Sequence, residues 1–356
     1  MTNIGIIGCG YWGPNLLRNF IQLHSCNIKA VCELDDSRLN YIHTKHPSIH
    51  TTKDYFELLT DDDIDAIVIA TAPSNHYCLA KEALEHGKHV LVEKPLALNV
   101  KDAQDLVNLA AEKDLILMVG HTFEFNNAVR RLKQEIQSGT VGQPYYFYAQ
   151  RLNYGIVRKD LNALWSLAPH DISILIYLLD QMPVKVSARG YDFIQKGVED
   201  VVFMVLTFPN DVVAHIQVSW LDPNKSRRMT VVGSDKMIVY DDVADNKLKI
   251  YDKGISKDNI SDSLGAYDDF SKFQLLRAAG DVSMPKIDFA EPLKLECDHF
   301  LECVQNGCQP LTDGFNGLRV VRVLEAAQSS LDQNGQDIQV KFEYRNPKRE
   351  TILNSE

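Results

Sequence analysis

Ile4-Gly5-Ile6-Ile7-Gly8-Cys9-Gly10-Tyr11-Trp12-Gly13-Pro14-Asn15 decides how the rest of the chain reads. An apolar run of strand length stops at Gly8, glycines follow at 10 and 13 in the Gly-x-Gly-x-x-Gly spacing, and a helical pattern starts at Asn15. The first glycine permits a tight turn, the second lets backbone approach a pyrophosphate, and the third lets helix and strand pack closely. The helix N-terminus then meets phosphate charge with unpaired N–H groups. Such a loop alone is a weak signal. Glu33 strengthens it by closing the second apolar run about 20 residues further on, where an acidic side chain accepts from ribose hydroxyls. Together they predict a dinucleotide site built from Gly8, Gly10, Tyr11, Trp12, Gly13 and Glu33. Glu33 would repel a 2′-phosphate, which predicts NAD rather than NADP. Arg38 could soften that preference or be a solvated helix charge.

Outward from this loop, the first 120 residues alternate apolar runs at 4–8, 28–32, 66–71, 89–93 and 115–119 with helical patterns. That alternation is the βαβ signature of a doubly wound parallel sheet, and runs apolar at every position suit strands covered on both faces. After Gly120 the texture changes to longer strands at 145–152, 184–190, 201–208, 212–220, 229–232, 237–240 and 248–251. The short turns Pro209-Asn210-Asp211 and Gly233-Ser234-Asp235 predict a mainly antiparallel open sheet there. Helices at 171–179, 292–306 and 317–331 are expected to cover one face of it. The other face must meet something, which predicts sheet-on-sheet assembly into a homodimer or homotetramer. The expected fold is therefore α/β, with an NAD-binding Rossmann domain over 1–120 and an α+β domain for substrate binding and oligomerisation over 121–356. Residues 253–288 show no clear period and read as a lid or an oligomer arm.

Composition narrows the partners. A chain of 356 residues, 45% hydrophobic and 24% charged, can bury two ordinary cores. Met1-Thr2-Asn3 passes straight into the first strand without a basic leader, and no apolar stretch approaches the roughly 18 residues that span a bilayer. The expectation is a cytoplasmic protein with no membrane partner. A formal net charge of -11 speaks against nucleic acid, because phosphate binding needs a basic face. Seven cysteines without a CxxC pair or a Cys/His zinc spacing predict reduced thiols and no metal site.

Two further stretches carry chemistry. The fourth run ends Val92-Glu93-Lys94-Pro95, and the third leads into Ala70-Thr71-Ala72-Pro73-Ser74-Asn75-His76. A lysine at the carboxyl end of a strand, beside a cationic nicotinamide, has its ammonium form disfavoured and can take a proton from a reacting hydroxyl. Leu164-Trp165-Ser166-Leu167-Ala168-Pro169-His170-Asp171 reads as a helix start, with Pro169 near the first turn and Asp171 favourable to the dipole. Its His170 titrates near operating pH. Around it Arg151, Asn153, Tyr154, Arg158, Asn162 and Trp165 offer donors, a flat ring and cations for a sugar and any phosphate, although Arg151 could equally be an outward strand residue. His76 and His121 close Rossmann strands and could line the crevice.

With Glu93-Lys94-Pro95, Ala70 through His76, and Val119-Gly120-His121-Thr122, the chain resembles the Gfo/Idh/MocA oxidoreductase family over nearly its whole length. The resemblance implies an active site in the crevice between the two domains, NAD contacts from Thr71, Ala72, Pro73, Asn75, His76, Glu93 and Lys94, and catalytic roles for Lys94 and His170. It also implies a bond before Pro95 that is often cis. The family's second motif carries Asp four residues before the histidine; Ser166 stands there, so which of Lys94 and His170 accepts the proton stays open. The stretches 162–173 and 219–225 look similar to the branch acting on sugar nucleotides, including UDP-N-acetylglucosamine and UDP-N-acetylglucosaminuronate 3-dehydrogenases and related 3-ketoreductases. What this implies is NAD-dependent oxidation at C3 of a UDP-N-acetylhexosamine or its uronate. Rivals are the reverse ketoreduction, an inositol or monosaccharide dehydrogenase, and a non-catalytic NAD-sensing regulator, which would need neither Lys94 nor His170.

Overall fold

The computed structural model describes residues 1–155, 157–254 and 280–341. Its first sheet holds six parallel strands, β1 (Thr2–Ile7), β2 (Cys26–Cys32), β3 (His50–Thr52), β4 (Ala66–Ile69), β5 (His89–Glu93) and β6 (Leu117–Gly120), in the order β3-β2-β1-β4-β5-β6. Strand order reverses between β1 and β4, so a crevice opens there above the strands' carboxyl ends. β4 is buried at every position, as a strand with helices on both faces must be. The helices are α1 (Gly13–Ile21), α2 (Asp36–Lys45), α3 (Phe56–Thr60), α4 (His76–Glu85) and α5 (Val100–Glu112). β3 has only three residues and no apolar run, which is why periodicity did not reveal it.

After α6 (Asn127–Gln137), the second sheet comprises β7 (Pro144–Tyr154), β8 (Lys185–Tyr191), β9 (Val201–Thr207), β10 (Val213–Ser219), β11 (Leu221–Gly233), β12 (Met237–Asp241), β13 (Leu248–Tyr251), β14 (Val282–Ser283) and β15 (Ile338–Gln339). They run in the order β14-β13-β12-β11-β7-β10-β9-β8-β15. Every pairing is antiparallel except that of β10 with β7. β11 starts well before the expected 229, and its register with β7 breaks between Leu221 and Ser226, an irregularity that admits Pro223. One face of the sheet packs on α7 (Ala163–Leu179) and on the helix Gly314–Asp332; the other presents Tyr146, Phe203 and Val205.

Three expectations change. α7 begins at Ala163, not at 171, because Asn162 caps it by accepting from the Trp165 N–H at 3.1 Å. Pro169 consequently lies mid-helix, where its missing N–H removes one internal hydrogen bond, and Asp171 lies beyond the reach of the helix N-terminus. The helix Pro292–Asn306 covers the first lobe rather than the second sheet: Leu293, Cys297, Phe300 and Leu301 share a core with Ile4, Leu16, Leu17 and Phe20. Gln305 Nε2 fixes its far end by donating to Thr2 Oγ1 and the Ser25 carbonyl, both at 3.0 Å. Most of the expected lid or arm, residues 255–279, lies outside the described residues. No helix among the described residues is long and apolar enough to cross a membrane.

Candidate active site

A cleft of about 1350 Å³ runs from the glycine loop, along the carboxyl ends of β4 and β5, to the inner face of β7 and β11. It exceeds the range of roughly 300–1,000 Å³ of small-ligand pockets, and has room for a dinucleotide with a substrate beside it.

The dinucleotide end follows from local sterics. Gly8 adopts φ +91°, and a Cβ there would stand 2.8 Å from Thr71 Cγ2. A Cβ on Gly13 would collide with the Gly8 carbonyl oxygen, so only glycine lets α1 start this close to β1. Glu33 Oε2 accepts from the Cys9 N–H at 2.7 Å and Oε1 from the Leu34 N–H at 2.8 Å, tying the end of β2 to the loop. Arg38 Nη1 lies 3.6 Å from Glu33 Oε2, so this arginine sits at the loop and is not merely a solvated charge. Gly8, Gly10, Tyr11, Trp12, Glu33, Arg38, Thr71, Ala72, Pro73, Asn75, Glu93 and Lys94 all line the cleft, and these residues fit a nicotinamide dinucleotide.

His76 does not. Its ring is fully buried, with Nδ1 2.8 Å from the Pro95 carbonyl oxygen, and burial pushes its pKa down to about 4. It braces the loop after β4 against the one after β5, behind the cleft wall. His121 is also buried away from the lining; among the described residues neither ring nitrogen has a hydrogen-bond partner, and burial lowers it to about 3.

At the reacting end the Lys94-Pro95 bond is cis, and Lys94 Nζ donates to the Ser166 carbonyl at 3.0 Å. Ser166, which stands where the resembling family's motif carries Asp, therefore meets the lysine through its backbone carbonyl. Burial pushes the Lys94 ammonium down towards its neutral form; Glu93 opposes this, and Arg151, Arg158 and Arg227 add to it. His170, on α7, is held well below its ordinary range by burial and then by Lys94 and Arg151. Its ring meets Phe123 edge-on at 5.0 Å, and its Nδ1 has no partner among the described residues. Both groups are thus biased towards the unprotonated forms that accept protons. Glu93 moves the other way, burial raising its carboxyl, with Oε1 packed against Gly120 and without a partner among the described residues.

The expected sugar wall divides. Arg151, Asn153 and Arg158 line the cleft with Ser166 and His170. Arg151 is neither outward nor free: it pairs with Asp171 in two parallel bonds, Nε to Oδ2 at 2.7 Å and Nη2 to Oδ1 at 3.1 Å, and lies over Phe123. Tyr154 is 82% exposed and off the lining. Asn162 Nδ2 donates to Glu199 and Gln328, and Trp165 Nε1 to the same Gln328 oxygen, so both belong to packing around α7. Sequence reading missed Asn126, Arg227 and Asp242, which complete the wall. It also missed Glu124 and Glu296, fully buried carboxyls raised by burial. Glu296 had a signal: it falls in the apolar stripe Leu293, Cys297, Phe300 of its helix.

Residues 2–121 match the family described as "Oxidoreductase family, NAD-binding Rossmann fold", and residues 129–239 match the GFO/IDH/MocA C-terminal domain. The chain is similar to the UDP-N-acetylglucosamine 3-dehydrogenase of Acidithiobacillus ferrooxidans, 31% identical over 193 residues, 54% of this chain and 60% of that protein. It is also similar to the scyllo-inositol 2-dehydrogenase (NAD(+)) of Bacillus subtilis, 27% identical over 301 residues, 81% of each. A solved structure of the Acidithiobacillus enzyme superposes with a TM-score of 0.77 at 22% identity, covering 93% of this chain and 98% of that one, a likeness of fold.

Proposed function

Because this chain belongs to the Gfo/Idh/MocA oxidoreductase family and carries its NAD-binding Rossmann fold, we propose that it oxidises the C3 hydroxyl of a sugar nucleotide, a UDP-N-acetylhexosamine or its uronate, to the 3-keto sugar. The observation that carries the reading is Lys94 Nζ, half-buried just past the end of β5 and reaching across the crevice to the Ser166 carbonyl, one turn of α7 from His170. NAD, when bound, supplies the hydride acceptor. Lys94 Nζ takes the hydroxyl proton: burial and three guanidiniums favour its free amine beforehand, and Glu93 beside it stabilises the ammonium that forms. His170, neutral in this environment, orients the same hydroxyl from α7. The Phe123 ring packs edge-on against His170 and holds its orientation beside Lys94. The Acidithiobacillus relative supports the nucleotide sugar.

The Bacillus relative, similar over a greater share of both chains, supports a second reading in which the substrate is a cyclic polyol. Absorbance of NADH formed with NAD and a panel of UDP-sugars, free hexoses and inositols separates the two. Turnover of a UDP-sugar alone is expected; turnover confined to inositols would replace the first reading by the second. Lys94→Met should keep NADH binding and lose turnover by at least about 100-fold, the usual scale of general base catalysis. Surviving turnover would remove Lys94 from its role. Tyr146, Phe203 and Val205 on the open face support assembly sheet on sheet.

A further inference from the structure

Three guanidiniums stand on the substrate wall of a chain whose net charge is -11, and they are not equivalent. Arg151 is committed, buried in its two-bond pair with Asp171. Arg158 forks onto Asp160 at 2.9 and 2.6 Å. Among the described residues Arg227 has one ion-pair contact, Nη1 to Asp242 Oδ2 at 3.4 Å, and its side chain is 38% exposed along the cleft. Asp242 is itself well supplied, since its Oδ1 accepts from Asn126 Nδ2 at 3.3 Å and from the Tyr240 hydroxyl at 3.1 Å. A guanidinium carries five N–H donors in a planar fork suited to a carboxylate or phosphate, so the described residues leave most of Arg227's capacity unused.

Its placement is as telling as its freedom. Arg227 on β11 lies directly opposite Arg151 on β7, so both project from the face that meets the cleft. Asp171 holds Arg151 and Asp242 meets Arg227, so the two like charges that face each other across the strands are each paired within the chain. Arg151, its cross-strand partner, lies over Phe123 at 4.5 Å, and that ring meets His170 at 5.0 Å, so the strand pair carrying Arg227 stands at the reacting end of the cleft.

From this we propose that Arg227 is a specificity-determining residue that receives an oxyanion of the substrate, a sugar carboxylate or an anomeric phosphate, close to the reacting carbon. The proposal rests on the sugar-oxidoreductase reading and narrows it to substrates charged beside the ring that reacts. Calorimetric titration of NADH-saturated protein with UDP-N-acetylglucosaminuronate, UDP-N-acetylglucosamine, glucuronate and myo-inositol tests it by binding, so absence of oxidation would count against the proposed function and leave this result readable. Arg227→Gln should weaken the anionic ligands by about tenfold or more relative to inositol, the scale of one charge-assisted bond. Arg227→Lys should recover part of the loss. A loss specific to the uronates places the carboxylate at Arg227, and an equal loss for both UDP-sugars but not glucuronate places the phosphate there. Equal weakening of inositol, or unchanged binding of every anion by a folded Arg227→Gln protein, would overturn the proposal.

Discussion

Replacing Asp171 by Asn removes a charge from the most enclosed ion pair in the described residues and changes almost no volume. Both side chains are nearly inaccessible, 6% for Arg151 and 4% for Asp171, and the pair bridges β7 to α7 one residue after His170. An asparagine can accept one of the two guanidinium bonds, but its NH₂ must then face the other donor. The guanidinium remains buried and charged without a counter-ion, which costs about 3–5 kcal/mol when one partner of such a pair is removed. The lower end is expected because Arg151 borders the cleft, where water can reach one edge. Urea unfolding followed by far-UV circular dichroism reads the loss as a lower midpoint at unchanged slope. The companion Arg151→Met, Asp171→Leu double substitution removes both charges and should recover most of that stability. Asp171→Asn within about 1 kcal/mol of the parent, or a double variant no better than the single one, would refute the view that this pair locks the His170 helix to the sheet.

Other substitutions test other parts of the site. Gly13→Ala pushes a methyl into the Gly8 carbonyl and should weaken NADH binding at least about tenfold by fluorescence titration, with little change in far-UV dichroism. An unaltered dissociation constant would mean that the loop can move apart without cost. We propose that Glu33 also accepts from the ribose hydroxyls: Glu33→Ala, which removes the anchor of the Cys9 N–H as well, should cost NAD about tenfold or more and NADP less; a parallel loss of both would take cofactor choice away from Glu33. Glu296 has a folded pKa raised by burial and by Glu93, so the folded chain binds a proton there that the unfolded chain releases as pH rises past the ordinary carboxylate range. The stability tied to that proton is full below this range and is lost at higher pH. Glu296→Gln should therefore gain in urea midpoint relative to the parent at pH 8 more than at pH 5, and a gain equal at both would contradict the assignment.

Legibility followed the range of the forces involved. Gly8 and Gly13 were readable because each answers a local steric demand, Gly10 by its spacing between them, and Glu33 because strand length sets its distance from the loop. Lys94 was readable for a similar reason: it ends a strand whose carboxyl edge forms the crevice. Asn162 and Trp165 were misplaced because a donor amide and an indole look the same whether they face a sugar or Gln328. His76 failed likewise, since burial is a tertiary property that no local pattern encodes. Arg227 precedes a second arginine, and only the pairing of β11 with β7 shows which of the two faces the cleft. The stripe on Pro292–Asn306 announced that this helix packs on something without saying on what.

That helix makes the cofactor lobe a joint product of the two ends of the chain. The ring of Phe300 and the side chains of Leu293, Cys297 and Leu301 are needed to close the hydrophobic core beneath α1 and β1. While the polypeptide is being synthesised, the segment bearing the glycine loop must wait with an unsealed apolar surface until residue 301 has left the ribosome, a stretch in which chaperones have something to hold. A transcript ending before that point would still encode Gly8, Gly10, Gly13 and Glu33, and its product would lack the wedge that seals the lobe carrying them.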